Sequence, residues 1–309
     1  MIKLSNGHQF EFVAAAGALG FDGRGWPWEW PFRWLGLLDP HLFTIVTKTL
    51  LFEKWPGNLR YPWDVRKVIK FITREGKEIN PLIALLRPHL IGGVVNAVGL
   101  AGPGIERWLK KSYPIIQRYG YKVIVSISGP RGGKGIVEIA KRLKNLKNVV
   151  GIEFNASCPN TDPTLLENAE MVIENCYAIK EVTDLPLLLK LSYVQPYLQI
   201  AKKVEGIVEA ISLNTLPWEV VFGKKISPLA KYGGGGISGP VTQPFLWKMI
   251  SELTRTTSIP IIGAGIWEYE DIQRVRNLGA SAFQFGTLFL VYPWKPTQYV
   301  RRWMQENKK

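Results

Sequence analysis

Apolar residues along this 309-residue chain gather in short runs separated by longer stretches with helical spacing. The runs are FVAAA (12–16), TIVTK (44–48), KVIVSI (122–127), VVGIEFN (149–155), LLLKL (187–191), IVEAISL (207–213), IPIIG (259–263) and AFQFG, which ends the series near 285. They lack the alternation of a strand with one wet face and read as strands buried on both sides, as a helix-covered parallel sheet requires. Helical patterns such as GIVEIAKRLKNL, YLQIAKKV and PFLWKMISELTR fall between most of them. Eight strands alternating with helices predict an α/β fold, an eight-stranded parallel TIM barrel. The competing doubly wound sheet commonly opens on a GxGxxG fingerprint, and none occurs early in this chain.

Two spacings break the rhythm. The segment at about 49–121 is too long for one crossover helix, so extra helices and loops are expected above the barrel. The excursion at about 214–245 ends in four consecutive glycines and suggests a lid. The expected architecture is one barrel domain over 1–309, with cover segments inserted over its carboxyl face.

Composition changes this picture little. With 46% apolar and 21% charged residues the chain reads as an ordinary soluble protein, and no apolar run approaches a membrane span. The start MIKLSNGHQF lacks a secretion signal, so a cytoplasmic location is expected, and two cysteines make no disulfide framework. The net charge of +14 admits a nucleic-acid binder, a protein drawn to anionic small molecules, or a lysine-rich solvated surface. The basic residues are spread without a dense arm, which argues against nucleic acid and for phosphates or carboxylates in a basic pocket. The segment GWPWEWPFRW (25–34) is either a membrane- or partner-facing patch or a proline-punctuated loop packed over the core. The second reading is preferred.

In a packed barrel, chemistry belongs to the loops at the carboxyl ends of the strands. Nearly every such end carries a polar residue here: Lys48, Ser126 and Ser128, Asn155 with Ser157 and Cys158, Lys190, and Asn214 with Thr215. Lys190 interrupts an apolar strand and needs an anion or strong acceptors if it points inward; a rim salt bridge is the bland alternative. Cys158 precedes a proline, so its loop is restrained. No histidine or second cysteine has ligand spacing to it, and no nearby histidine would activate a nucleophile. Proton transfer is therefore the preferred chemistry for this thiol, with a buried filler as the alternative. Asn96, Asn155, Asn160 and Asn214 offer uncharged donors and acceptors suited to a flat, amide-rich ring, although each alone reads as a turn or cap residue. Glycine-rich segments follow at 233–240 and 263–265, then at Gly286 before Thr287. Exposed amides at the seventh and eighth strand ends of a barrel commonly cradle a phosphate.

These motifs together resemble class 1 dihydroorotate dehydrogenase, the soluble flavin enzyme with a cysteine base. The resemblance rests on AAAGALGF (14–21), TKTLLFEKWPGN (47–58), NAVGLAGPG (96–104), NASCPNT (155–161), LLKLSY (188–193), LNT (213–215), GGGGISGP (233–240), GAGI (263–266) and FQFGT (283–287), in the family's order. It implies an FMN-holding barrel that oxidises (S)-dihydroorotate to orotate in pyrimidine biosynthesis. By similarity, Cys158 takes the C5 proton while C6 passes a hydride to flavin N5. Lys48, Asn96, Asn155, Asn160, Asn214 and Thr215 would surround the pyrimidine. Lys190 would lie against the flavin, with Lys48 and Asn155 also near it, and Ala16, Gly17 and Thr49 would border it. Gly236, Gly263, Gly265, Gly286 and Thr287 would hold the phosphate. No metal is implied. A homodimer is expected, either self-sufficient with fumarate or passing electrons to NAD through a reductase subunit carrying FAD and an iron–sulfur cluster.

Three features depart from the family pattern. A long section, KVIKFITREGKEINPLIALLRPHLIG, intervenes before Asn96; NASCPNT runs directly into DPTLLENAE; and SISG has serine where the family often has asparagine. They leave open the acceptor and the exact pyrimidine. A related FMN barrel acting on another dihydropyrimidine or cyclic amide is the main alternative, and a non-catalytic flavin- or nucleic-acid-binding protein the weaker one.

Overall fold

The computed structural model describes residues 1–61, 64–129, 134–157 and 169–307. The chain opens with a hairpin of β1 (Ile2–Lys3) and β2 (Gln9–Phe10), followed by β3 (Phe12–Ala14) and β4 (Thr44–Val46). The first excursion holds β5 (Ile69–Ile72), β6 (Glu78–Ile79) and β7 (Gly93–Asn96). Next come β8 (Val123–Ile127), β9 (Val149–Asn155), β10 (Leu187–Leu191) and β11 (Ala210–Leu213). The second excursion carries β12 (Leu216–Pro217) and β13 (Gly236–Ser238), and β14 (Ile262–Gly263) and β15 (Ala282–Phe285) finish the series.

Eight of these strands form one wholly parallel sheet in the order β11-β10-β9-β8-β4-β3-β15-β14. A parallel bridge between Ile211 and Ile261 joins its two ends, which makes the sheet a TIM barrel. Every one of the eight apolar runs contributes a strand. The last are shorter than the runs suggest, partly because Pro260 has no N–H and can only accept, here from the Ile211 N–H at 2.9 Å.

The barrel interior is layered. Val13, Val46, Ile124, Val150, Leu188, Ala210, Ile262 and Ala282, one from each strand, pack together with Ile2, Leu4 and Phe10 of the hairpin, which plugs the amino end. Two residues further along, the period of the pleat puts Ser126, Lys190, Ser212 and Gln284 on the same inward face. The interior thus turns from apolar to polar as the strands approach their carboxyl ends. Helices such as Ala169–Val182 and Gln243–Thr256 cover the outside. Cys176 lies buried on the first of these, with its thiol pushed up by burial, so it is part of the packing.

The cover corrects one expectation. Segment 49–121 does not add helices and loops alone: it supplies three strands of an antiparallel five-stranded sheet, ordered β12-β13-β7-β5-β6. The two excursions therefore make one shared roof, with Gly236, Ile237 and Ser238 paired to Asn96, Val95 and Val94. The sequence hides this because KVIKFI switches from a helix (Val65–Val68) to a strand within one apolar stretch. Gly57 ties the first excursion down: its φ is +51°, and a β-carbon there would sit 2.4 Å from the Val98 carbonyl oxygen. Among the described residues no helix is long and apolar enough to cross a membrane.

Candidate active site

Between barrel and roof lies a cavity of about 780 Å³, large enough for a cofactor with a small substrate. Its floor is a buried ion pair. Lys190 Nζ on β10 donates to Glu153 Oε1 on β9 at 2.8 Å, and the two side chains are 7% and 2% exposed. Ser126 Oγ donates to the same oxygen at 2.9 Å, and Ser212 Oγ donates to Oε2 at 2.7 Å. Lys190 is thus inward and paired, as a lysine in an apolar strand must be.

A chain of hydrogen bonds climbs from this pair to the loop after β9. The Thr49 and Ser126 hydroxyls are 2.9 Å apart, and Asn155 Nδ2 donates to Thr49 Oγ1 at 3.0 Å. Asn155 Oδ1 accepts from Ser157 Oγ at 2.8 Å and from the Ser157 N–H at 3.3 Å. Asn214 Nδ2, beyond the end of β11, donates to the Ser157 carbonyl at 2.8 Å. Both asparagine side chains therefore spend hydrogen bonds on Ser157, the residue before Cys158. Cys158 and Asn160 themselves lie outside the described residues.

The other expected residues among those described, Gly263 excepted, are brought to the same cavity. Ala16 and Gly17 line it after β3, Lys48 and Thr49 after β4, and Thr215 after β11. Lys48 Nζ donates to the Ala101 carbonyl at 2.7 Å and lies 5.5 Å from the Phe21 ring centre. Asn96 and Gly236 line it from the roof, where Asn96 Nδ2 donates to the Gly236 carbonyl at 3.3 Å. A β-carbon on Gly236 would meet Thr215 Oγ1 at 2.5 Å. Gly265, at φ +79°, and Gly286 with Thr287 line the far end, where the short helix Thr287–Val291 begins. Gly263 does not line the cavity; its α-carbon faces Val275 and Ala280, under the helix Glu270–Asn277.

Sequence reasoning missed two acids. Glu153 is hidden inside an apolar run, and its signal is register: it stands opposite Ser126 on β8 and Leu188 on β10, two residues before Lys190, so that Ser126 and Lys190 both reach it. Glu29 comes from the tryptophan-rich loop, whose Trp26, Pro27 and Trp28 also line the cavity. Trp26 Nε1 donates to the Gly17 carbonyl at 2.9 Å, and the Trp26 and Trp28 rings stack at 5.6 Å. That anchors the loop over the barrel, as its preferred reading had it.

Glu29 is 1% exposed; Oε2 accepts from the Trp26 N–H at 2.7 Å, while Oε1 has no hydrogen-bond partner among the described residues. Burial pushes its carboxyl up to about 8, against a weaker opposing pull from the Trp26 N–H. An acid with a raised folded-state value stays protonated in the folded chain while the unfolded chain ionises. Stability from this group is fully present below about 4.5 and falls as pH rises toward about 8. Glu29→Gln is expected to flatten that decline. In urea melts at the two ends of the window, the variant should gain about 1–4 kcal/mol on the parent at the alkaline end. Parallel pH profiles for both proteins would show that Glu29 is ionised in the fold.

Comparison with known proteins fits this geometry. Residues 66–302 match the family model described as dihydroorotate dehydrogenase. The catalytic subunit of dihydroorotate dehydrogenase B (NAD(+)) from Anoxybacillus flavithermus is 33% identical over 234 residues, 74% of each chain. Its counterparts from a Geobacillus species and from Bacillus mycoides are each 32% identical over 233 residues, 73% of this chain and 74% of theirs.

The chain belongs to the dihydroorotate dehydrogenase family. The family's enzymes are FMN-dependent oxidoreductases of pyrimidine biosynthesis. The cavity suits such a group on its own chemistry. Its wall is mainly apolar, a lysine lies at the floor, and glycines with open backbone stand at the ends of β14 and β15, where a helix starts.

Proposed function

We propose that this chain oxidises (S)-dihydroorotate to orotate with FMN, using Cys158 as the base. The observation that carries the reading is the run of hydrogen bonds from Lys190 through Glu153, Ser126, Thr49 and Asn155 to Ser157, which fixes the start of the Cys158 loop against the floor of the cavity. FMN, when bound, supplies the hydride acceptor. Gly265, Gly286 and Thr287 are suited to its phosphate, and Ala16, Gly17 and Thr49 to its edge. Gly263 would act only by letting the neighbouring helix approach closely. Lys190 presents a fixed positive charge to a ring that gains negative charge on reduction.

The remaining residues orient the substrate. Lys48, with Asn96 and Thr215 beside it in the cavity wall, offers a cation and neutral donors for a carboxylate on an amide-bearing ring. Asn155 and Asn214 would serve the site chiefly by holding Ser157, and Asn160 would add an amide from the same loop. A thiol needs only a modest shift from its ordinary value to accept a proton near neutrality. The roof excludes water from the exchange. The relatives named as catalytic subunits support a further reading, that electrons leave through a separate subunit toward NAD. A homodimer and a cytoplasmic location belong to the same proposal.

Anaerobic addition of dihydroorotate to the FMN-loaded protein is expected to bleach the flavin absorption band. Yellow protein that dihydroorotate leaves unbleached would instead favour a different cyclic amide as substrate. Protein unable to take up FMN would end the proposal.

A further inference from the structure

The roof carries a surface that the proposed chemistry does not use. The helix Pro81–Leu86 touches the protein core through Ala84 alone among its buried residues. Leu82, Ile83, Leu85 and Leu86 stand 62%, 47%, 77% and 72% exposed, and Leu90 on the next turn is 41% exposed. Scattered single leucines are ordinary on a protein surface; five large apolar side chains within nine residues are not. The helix is too short to hold itself together by propensity, and it gains little from its own core. Among the described residues none buries these side chains.

The charge around this knob says what would cover it. Residues 66–92 contain six Lys or Arg against two Glu. Lys70 is paired with Glu78 at 2.8 Å and Lys67 with Asp64 at 2.9 Å, and the exposed Glu75 lies near Lys77 and Lys225, while Arg66, Arg74, Lys77 and Arg87 are exposed cations that outnumber it. The neighbouring excursion adds cations: Lys225 Nζ donates to the Glu75 carbonyl at 3.1 Å, bringing exposed Lys224 and Lys225 to the 73–77 turn. Ile226, beside them, is 87% exposed. Apolar side chains projecting from a rim of cations match the boundary layer of an anionic bilayer, where leucines enter the acyl region and Lys and Arg meet lipid phosphates.

We infer that the exposed helix Pro81–Leu86 and its basic rim dock this protein on the surface of an anionic lipid bilayer. The docking is peripheral, by one turn and a half of helix, and does not depend on which substrate the cavity takes.

Co-sedimentation of the FMN-loaded full chain with vesicles tests this. Vesicles of mixed phosphatidylcholine and phosphatidylglycerol should carry the protein down, vesicles of phosphatidylcholine alone should carry much less, and added salt should release it. Leu85→Glu with Leu86→Glu is expected to weaken the partition at least about tenfold. Both positions are exposed, so flavin content and melting temperature should match the parent. Equal sedimentation of variant and parent, or equal binding to both vesicle types, would overturn the inference. So would a variant that changes only the oligomeric state in sedimentation velocity, which would give the knob to a second copy of the chain or another protein.

Discussion

In a Cys158→Ala protein, dihydroorotate is expected to bleach the flavin about 10²–10⁴-fold more slowly than in the parent, with FMN retention nearly unchanged. The size follows from what the substitution removes. Abstraction of a carbon-bound proton needs a positioned base, and among the described residues at the cavity the acids are Glu29, kept protonated by burial up to about 8, and Glu153. Glu153 cannot substitute, because both its oxygens are taken by Lys190, Ser126 and Ser212 beneath the floor. The scaffold should survive, since Ser157, the last described residue before the cysteine, keeps its own hydrogen bonds to Asn155 and Asn214. Cys158→Ser should fall between the two, a hydroxyl being a poorer proton acceptor than a thiolate at the same position. Rapid-mixing absorbance gives the rates. Unchanged bleaching in the alanine protein would remove Cys158 from the chemistry.

Glu153→Gln is expected to cost about 3 kcal/mol of folding stability, because it leaves a buried ammonium without its counter-charge. Glutamine keeps the shape and part of the hydrogen bonding, so the loss isolates the charge. Thermal unfolding of FMN-free protein is the appropriate measurement, since the cofactor would otherwise stabilise parent and variant unequally. The decisive comparison is the double variant Glu153→Gln with Lys190→Met. If the pair acts as a unit, removing both charges restores most of the loss. Additive losses would mean that Lys190 finds another partner once Glu153 is neutral.

The barrel was legible because its signal is redundant. Each of β3, β4, β8, β9, β10, β11, β14 and β15 is an apolar run between helical patterns, and a missed boundary at Pro260 changes nothing in the topology. The roof was not legible. Its strands are two to four residues long and pair across the two excursions, so no local pattern announces them. The site was read unevenly for a related reason. Lys190 and Asn155 stand out as polar residues at strand ends, whereas Glu153 matters only through a register that sets it opposite Leu188, within side-chain reach of Lys190 one pleat further on. Gly263 shows the opposite error. Its motif looked like a phosphate cradle, but the space it vacates is occupied by Val275 of the adjacent helix. Glu29 gave no sign at all, since a carboxyl among tryptophans reads as a solvated loop until its burial is known.

The shared roof also orders events in time. Asn96 and Gly236 are partners across 140 residues of chain, and β7 cannot acquire its neighbour on that side until Ser238 has left the ribosome. Contacts of such sequence separation are slow to form, and domains assemble as synthesis proceeds. A nascent chain halted before that point can pair six of the eight barrel strands, β3, β4, β8, β9, β10 and β11, and still expose the polar mouth to water. The cavity is therefore complete only at the last stage of synthesis, when its lining residues near 265 and 286 follow the far half of the canopy.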